Sequence, residues 1–164
     1  MTSDVQEHKT SITTPSDTEI RMERTFDAPP EVLWEMHTDP ELLAQWLGPH
    51  DNPVTVESID LRVGGSYRWT ASDREGGEIA FFGEYRVIEP PRVLETTFQF
   101  SGVPGFVSVD RLELEELDDG RTRLVSISTH ESKDSRDGML QSGMEKGVND
   151  GYEKLDELLA ARQS

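Results

Sequence analysis

The spacing of hydrophobic and polar positions changes period twice along this chain and divides it into three stretches. From Glu19 to Phe26 the pattern alternates, with Ile20, Met22 and Phe26 on one side, which predicts a strand. Ala28, Pro29 and Pro30 stop it, and proline suits the first turn of a helix because its missing amide has no partner there. Val32, Leu33 and Met36, with Trp34 beside them, give that short helix an apolar side. Asp39 is placed to cap a second short helix with Pro40 at its first position. Leu42, Leu43, Trp46 and Leu47 form the buried side of this helix, and Gly48 and Pro49 end it.

Residues 53–130 read as strand and turn. Val54 to Val63 is a strand whose apolar phase slips between Val56 and Ile59, the signature of a bulge. Tyr67 and Trp69 share a face of the next strand, and Ile79, Phe81, Tyr85 and Val87 alternate along the one after it. Pro90 and Pro91 close that strand, and Leu94, Thr96, Phe98 and Phe100 line the following one. Two last strands, 106–117 and 121–130, are joined at Asp118, Asp119 and Gly120, a tight-turn signal.

The period then becomes helical. Leu140, Met144, Val148, Tyr152, Leu155 and Leu159 lie on one face of a helix expected from about residue 134 to 161, roughly 40 Å long. Gly143, Gly147 and Gly151 run along the edge of that face. Each glycine costs a helix roughly 0.5–1 kcal/mol relative to alanine, so three in a row call for a reason. They remove bulk, and a helix thinned on one edge can cover a sheet and leave a hollow beside it.

Composition narrows the readings. The 164 residues suit one domain, expected over 18–162, after a polar leader (1–17) expected to be disordered. No cysteine is present, so disulfides and thiol chemistry are excluded. No apolar run approaches the roughly 20 residues that span a bilayer, and the leader lacks the apolar core of a secretory signal, so a cytoplasmic protein is expected. Thirty-three acidic against 16 basic residues give a net charge of −17, which repels phosphate backbones and anionic lipid and argues against nucleic-acid and membrane roles. Such a carboxylate-rich surface also suits a salty cytoplasm, where ions screen its self-repulsion.

Five segments in order carry a resemblance: RTFDAPPEVLW (24–34), TDPELLAQWLGP (38–49), VGGSYRW (63–69), GEYRVIEPPRVL (83–94) and GMEKGVNDGYEKLDELL (143–159). Together they resemble the START-like (SRPBCC, helix-grip) superfamily, in the branch related to the C-terminal domain of the activator of Hsp90 ATPase. The resemblance implies an α+β fold of the START-like or Bet v 1-like kind. A curved antiparallel sheet would wrap a long C-terminal helix, with two short helices after the first strand. It also implies a cavity between helix and sheet, used by relatives to bind lipids, polyketides or hormones and by some to catalyse cyclisation or hydrolysis. Relatives often carry tryptophan where this chain has Val148, which implies a reshaped cavity here. The co-chaperone's separate N-terminal domain has no counterpart in these residues, which leaves a chaperone partner the weaker expectation.

The expected cavity lining is Trp46, Tyr67, Trp69, Phe81, Tyr85, Phe98, Phe100, Met144, Val148 and Tyr152, with His37, Met139 and Leu140 at the mouth. The plain alternative is that these aromatics fill a core. The polar groups facing inward would be the Tyr67 and Tyr85 hydroxyls, the Trp46 and Trp69 indole nitrogens and Thr96, a set suited to a flat apolar molecule with one or two oxygens. Arg24 has inward parity; buried, it would need a carboxylate or a ligand anion, whereas an arginine so placed more often ends a strand at the rim. His37, His50 and His130 lack metal-ligand spacing, and no Gly-x-Ser-x-Gly elbow is present. Glu113, Glu115, Glu116, Asp118 and Asp119 surround a turn and read as solvated surface. Neither a metal, a cofactor nor a catalytic residue is expected. The expectation is therefore a protein that binds a small hydrophobic molecule. A cyclase-, aromatase- or hydrolase-like enzyme using the same cavity and an Hsp90-regulating interaction module are the alternatives.

Overall fold

Strand β1 (Ser11–Thr13) and strand β2 (Glu19–Phe26) open the chain, and the two short helices follow as α1 (Pro30–Thr38) and α2 (Pro40–Trp46). The computed structural model describes residues 10–48, 50–52, 54–72, 75–101, 103, 105–142 and 144–163. One residue serves both helices. The Asp39 amide donates to the Glu35 carbonyl and closes α1, while its carboxylate accepts from the amides of Glu41 and Leu42 and opens α2. Pro30 and Pro40 sit in the first turns, where no backbone donor is required.

Six strands then run as a meander: β3 (Thr55–Ile59), β4 (Ser66–Ser72), β5 (Glu78–Glu89), β6 (Val93–Phe100), β7 (Ser108–Glu116) and β8 (Thr122–His130). The expected bulge in β3 lies between Val56 and Ser58. The sheet is antiparallel, in the order β1-β2-β8-β7-β6-β5-β4-β3. Because β8 returns beside β2, helices α1 and α2 carry the chain from one side of the sheet to the opposite edge. This is the curved sheet of the expected α+β helix-grip fold.

Two expectations are corrected. Part of the leader is ordered: Ser11–Thr13 pairs with Arg21–Glu23 and covers the edge that β2 would otherwise leave open. Residues 1–9 lie outside the described residues. The single terminal helix is two, α3 (Lys133–Gln141) and α4 (Met144–Gln163). The Ser132 hydroxyl accepts from the Ser135 amide and starts α3. At its end both the amide and the hydroxyl of Ser142 donate to the Met139 carbonyl. That three-residue closure and the competing side-chain bond stop the ladder there.

The core sits where α1, α2 and the C-terminal half of α4 meet the sheet. Phe26, Leu33, Leu124 and Leu155 are fully enclosed there. The nearest backbone neighbours of α4 are α2 and α3 rather than the strands. Gly151 accounts for the approach to α2. A Cβ added to it would stand 3.1 Å from the Trp46 carbonyl oxygen, so this glycine lets two helices touch and widens no hollow. The expected companion Gly143 lies outside the described residues.

Arg24 finds the carboxylate its parity requires. Its guanidinium donates to Asp156 Oδ2 at 2.8 Å and to the Tyr152 carbonyl at 3.2 Å, and it lies over the Phe26 ring at 4.9 Å. It fastens α4 to β2 and serves as no ligand anchor.

Candidate functional site

Strand register sorts the inner face into rows. Leu114 stands opposite Leu124, and Leu124 opposite Arg24. Farther along lie the rows Leu112–Ser126–Met22, Thr96–Asp110–Ser128–Ile20 and Phe98–Ser108–His130. The rows near Leu124 are sealed. In the others Trp69, Phe81, Phe98, Phe100, Thr96, Asp110, Ser126 and Ser128 stay half-buried, and so do Met139, Leu140, Met144 and Val148 on α3 and α4. The aromatic side chains Phe81, Phe98 and Phe100 of the inner face thus remain reached by solvent.

The ten expected lining residues therefore divide. Trp46 is buried, stacks on Tyr152 and donates its indole proton to the Met36 carbonyl at 2.9 Å. Tyr152 also meets Phe26 edge-on, and burial pushes its hydroxyl up to about 12. Tyr67 and Tyr85 are buried beside Leu94 in a second cluster. The Tyr67 hydroxyl donates to the Thr97 carbonyl at 2.6 Å, and burial raises its pKa. These four belong to the core, and the indole of Trp46 and the hydroxyl of Tyr67 already have partners. Trp69, Phe81, Phe98, Phe100, Met144 and Val148 are the half-buried remainder. Phe81, Phe98 and Phe100 lean on one another with ring centres 6.1–6.2 Å apart, and Phe106 closes on Phe100 at 5.3 Å.

Tyr67 reaches Thr97 through a gap in the ladder. Between the pairs Phe82–Gln99 and Tyr85–Thr96 the β5–β6 pairing lapses, and the Glu84 amide donates instead to the Thr97 hydroxyl. Gly83 makes the gap possible, since a Cβ there would overlap the Thr97 carbonyl and lie 2.8 Å from the Tyr67 oxygen.

The inner face also holds a polar group that sequence reasoning missed. Asp110 Oδ1 accepts from the Ser108 hydroxyl at 3.2 Å, and the Ser128 hydroxyl bonds to the same carboxylate. Ser128 Oγ lies 2.8 Å from His130 Nε2. Burial pushes the Asp110 carboxyl up to about 6 against the pull of the two hydroxyls. Desolvation and the nearby Arg136 lower the His130 imidazole. The serine stands between acid and base. Carboxylate and imidazole compete for its one hydrogen.

His37, expected at the mouth, lies instead between α1 and α2. Its Nδ1 donates to the Leu33 carbonyl at 2.7 Å and its ring meets Trp46 edge-on. Burial pulls the imidazole from 6.5 down to about 4. As pH falls, the unfolded chain takes up this proton first, so His37 contributes a loss of stability that begins below 6.5 and is complete below about 4. Asp110, at about 6 folded against 3.8, acts oppositely, and stability rises as pH falls from about 6 toward 3.8. The two offset each other in the wild type. Urea titrations at neutral pH and near pH 4 should show the stability difference moving in favour of His37→Gln by about 1 kcal/mol or more on acidification. A difference independent of pH would show that this imidazole is hydrated.

Two other features lie apart from the inner face. His50, Asp150 and Glu153 bring ligand atoms within 4.8 Å of one another, but the group is largely exposed and Lys146 Nζ already sits 2.7 Å from Asp150. It reads as an ion-pair lattice that ties the loop after α2 to α4. A hollow of about 560 Å³ lies at the opposite end of the strands from Phe100. Val93, Glu113 and Val125, in register across the sheet, form part of it, with Glu31, Arg92, Glu115 and Glu116 around it, a charged surface on the side of the sheet away from Asp110.

Residues 27–160 match the family model described as activator of Hsp90 ATPase homolog 1-like protein. A crystal structure of a Rhodobacter sphaeroides protein is 28% identical with a TM-score of 0.84, over 93% of this chain and 99% of that one. A solution structure from Arthrobacter aurescens is 29% identical with a TM-score of 0.82, over 92% and 91%. A crystal structure of a Mycobacterium smegmatis protein is 25% identical with a TM-score of 0.82, over 92% and 97%. None of the functionally curated proteins matches the chain. Among the described residues no helix is long and apolar enough to cross a membrane.

Proposed function

The chain belongs to the activator of Hsp90 ATPase homolog 1-like family, and on that premise we propose that it binds a small apolar or aromatic molecule between the inner face of the sheet and helices α3 and α4. The observation that carries this reading is the unequal burial of the inner face. Phe26, Leu124 and Leu155 are completely enclosed at one end, Trp69 and Val148 are half-buried against that core, and Phe81, Phe98, Phe100 and Met144 keep solvent contact at the other end. Aromatic and methionine surface left wet on a concave face gains about 25 cal/mol per Å² when a guest dries it, before ordering costs. The half-buried Phe trio offers flat faces at the 6 Å spacing seen between its own rings, which suits a flat guest.

Neutral naphthalene-type probes should bind to the purified chain and raise its melting temperature. Val148→Trp places an indole in the same space. It should weaken probe binding about tenfold or more without lowering the stability of the free protein. Unchanged binding in Val148→Trp, together with unchanged binding in Phe98→Ala, would remove this space from the function. The family's description favours one other reading, a chaperone-regulating surface. That reading predicts stimulation of Hsp90 ATPase activity that survives Val148→Trp, whereas a binding protein gives none.

A further inference from the structure

Resting on the binding reading above, we propose that the space between the inner face of the sheet and helices α3 and α4 holds a carboxylate anchor, Asp110 flanked by Ser108, Ser128 and His130, and that its ligand is an aromatic molecule bearing a basic nitrogen. Three observations converge on this class.

The first is an uncompensated charge. Among the described residues no lysine or arginine pairs with Asp110. The buried arginines Arg24 and Arg136 are engaged elsewhere, Arg24 with Asp156 and Arg136 with Asp137 and the Ser16 carbonyl. Asp110 is half-buried, and that burial raises the pKa of its carboxyl. A carboxylate in such a place, held by two hydroxyls alone, gains most from a cation that arrives with its own hydrogens.

The second is an unsatisfied ring nitrogen. Ser128 Oγ stands between the Asp110 carboxylate and His130 Nε2, 2.8 Å from the latter. His130 Nδ1 is buried with no hydrogen-bond partner. The row therefore sets beside the carboxylate a polar atom that the protein itself leaves unpaired.

The third is the wall beside it. Phe98 stands directly opposite Ser108 in the next row, and Phe81 and Phe100 lean on Phe98. Aromatic faces next to a carboxylate attract a cation from both sides.

Calorimetry on the full chain would compare naphthylmethylamine with its neutral counterpart naphthalenemethanol and its anionic counterpart naphthoic acid. Near neutral pH the amine should bind about tenfold or more tighter than the alcohol, and the acid should bind weakest. Asp110→Asn, equal in size, should erase the advantage of the amine and leave the alcohol's affinity in place. Acidification to about pH 5 should weaken the amine in the wild type as Asp110 gains its proton, and Asp110→Asn should respond less. The other groups facing Asp110 leave this difference intact. Tyr67 and Tyr85 stay neutral throughout, and His130 and Arg136 are common to both proteins. Equal affinities for amine and alcohol in the wild type would overturn the anchor while the binding space stands, as would an advantage that survives Asp110→Asn. Failure of all three probes to bind would overturn the binding space itself.

Discussion

Arg24→Ala should cost about 3 kcal/mol or more of folding stability, measured by urea denaturation, because it strips a buried polar network of its central donor. Arg24 is 6% exposed, and its hydrogens serve Asp156 and the Tyr152 carbonyl at once. Removing it takes one donor from the Tyr152 carbonyl and one from the partly buried Asp156 carboxylate, and takes a cation off the Phe26 and Tyr152 rings. Arg24→Lys should rescue little, since a single ammonium cannot span two acceptors in the fork geometry of a guanidinium. Asp156→Ala should cost less, because Asp156 keeps a third of its surface in water. In the double variant the two losses should fall short of additive. A loss below about 1 kcal/mol for Arg24→Ala would mean that β2 and α4 are held by apolar packing alone.

The second large effect is expected at Gly83. Alanine there should destabilise by about 3 kcal/mol or more, at the top of the range for overpacking, because its Cβ would overlap the main-chain oxygen of Thr97. A side chain can rotate away, but a strand held by ladder bonds on both sides cannot. Tyr67→Phe removes only the hydroxyl that fills the same gap, and should cost about 1 kcal/mol, the net worth of one hydrogen bond. Thermal melts of the two variants should therefore separate widely. If Gly83→Ala melts with the wild type, the β5–β6 pairing is looser than its geometry indicates.

Most of the architecture was legible because its cues are local. The Asp39–Pro40 joint, the phase slip in β3 and the turn at Gly120 each depend on a few adjacent residues, and each formed where the sequence places it. The helix break was not legible, because the apolar stripe from Leu140 to Leu159 continues across it while Ser142 stops the backbone. Of the site, the half-buried aromatics of β4 to β6 could be read from simple alternation. The Asp110 row could not. On β7 and β8 the outward positions include Val109, Val125 and Ile127 beside Arg111, Glu113 and Arg123, while the inward ones include Ser108, Asp110, Ser126 and Ser128 beside Leu112, Leu114 and Leu124. Around Asp110 and Ser128 the binary pattern is locally inverted, so alternation alone does not say which face is inward. Only the cross-strand register, anchored by Leu114 opposite Leu124, shows which way these side chains turn. Trp46 and Tyr67 misled for another reason. A polar tip on a ring looks available in a sequence, but here each tip is taken by a carbonyl, Met36 for one and Thr97 for the other.

The pairing of β2 with β8 also sets the order of assembly. Residues 19–26 meet residues 122–129 across about two thirds of the chain, whereas every join from β3 to β8 is a nearest-neighbour hairpin. Long loop closure is entropically dear and local hairpins are not, so the meander should form first and the early strand dock last. During synthesis Ile20, Met22 and Phe26 must wait for a partner that is made a hundred residues later. Refolding should be slow for a chain of this size, with amide protection appearing in β4 to β7 before it appears in β2.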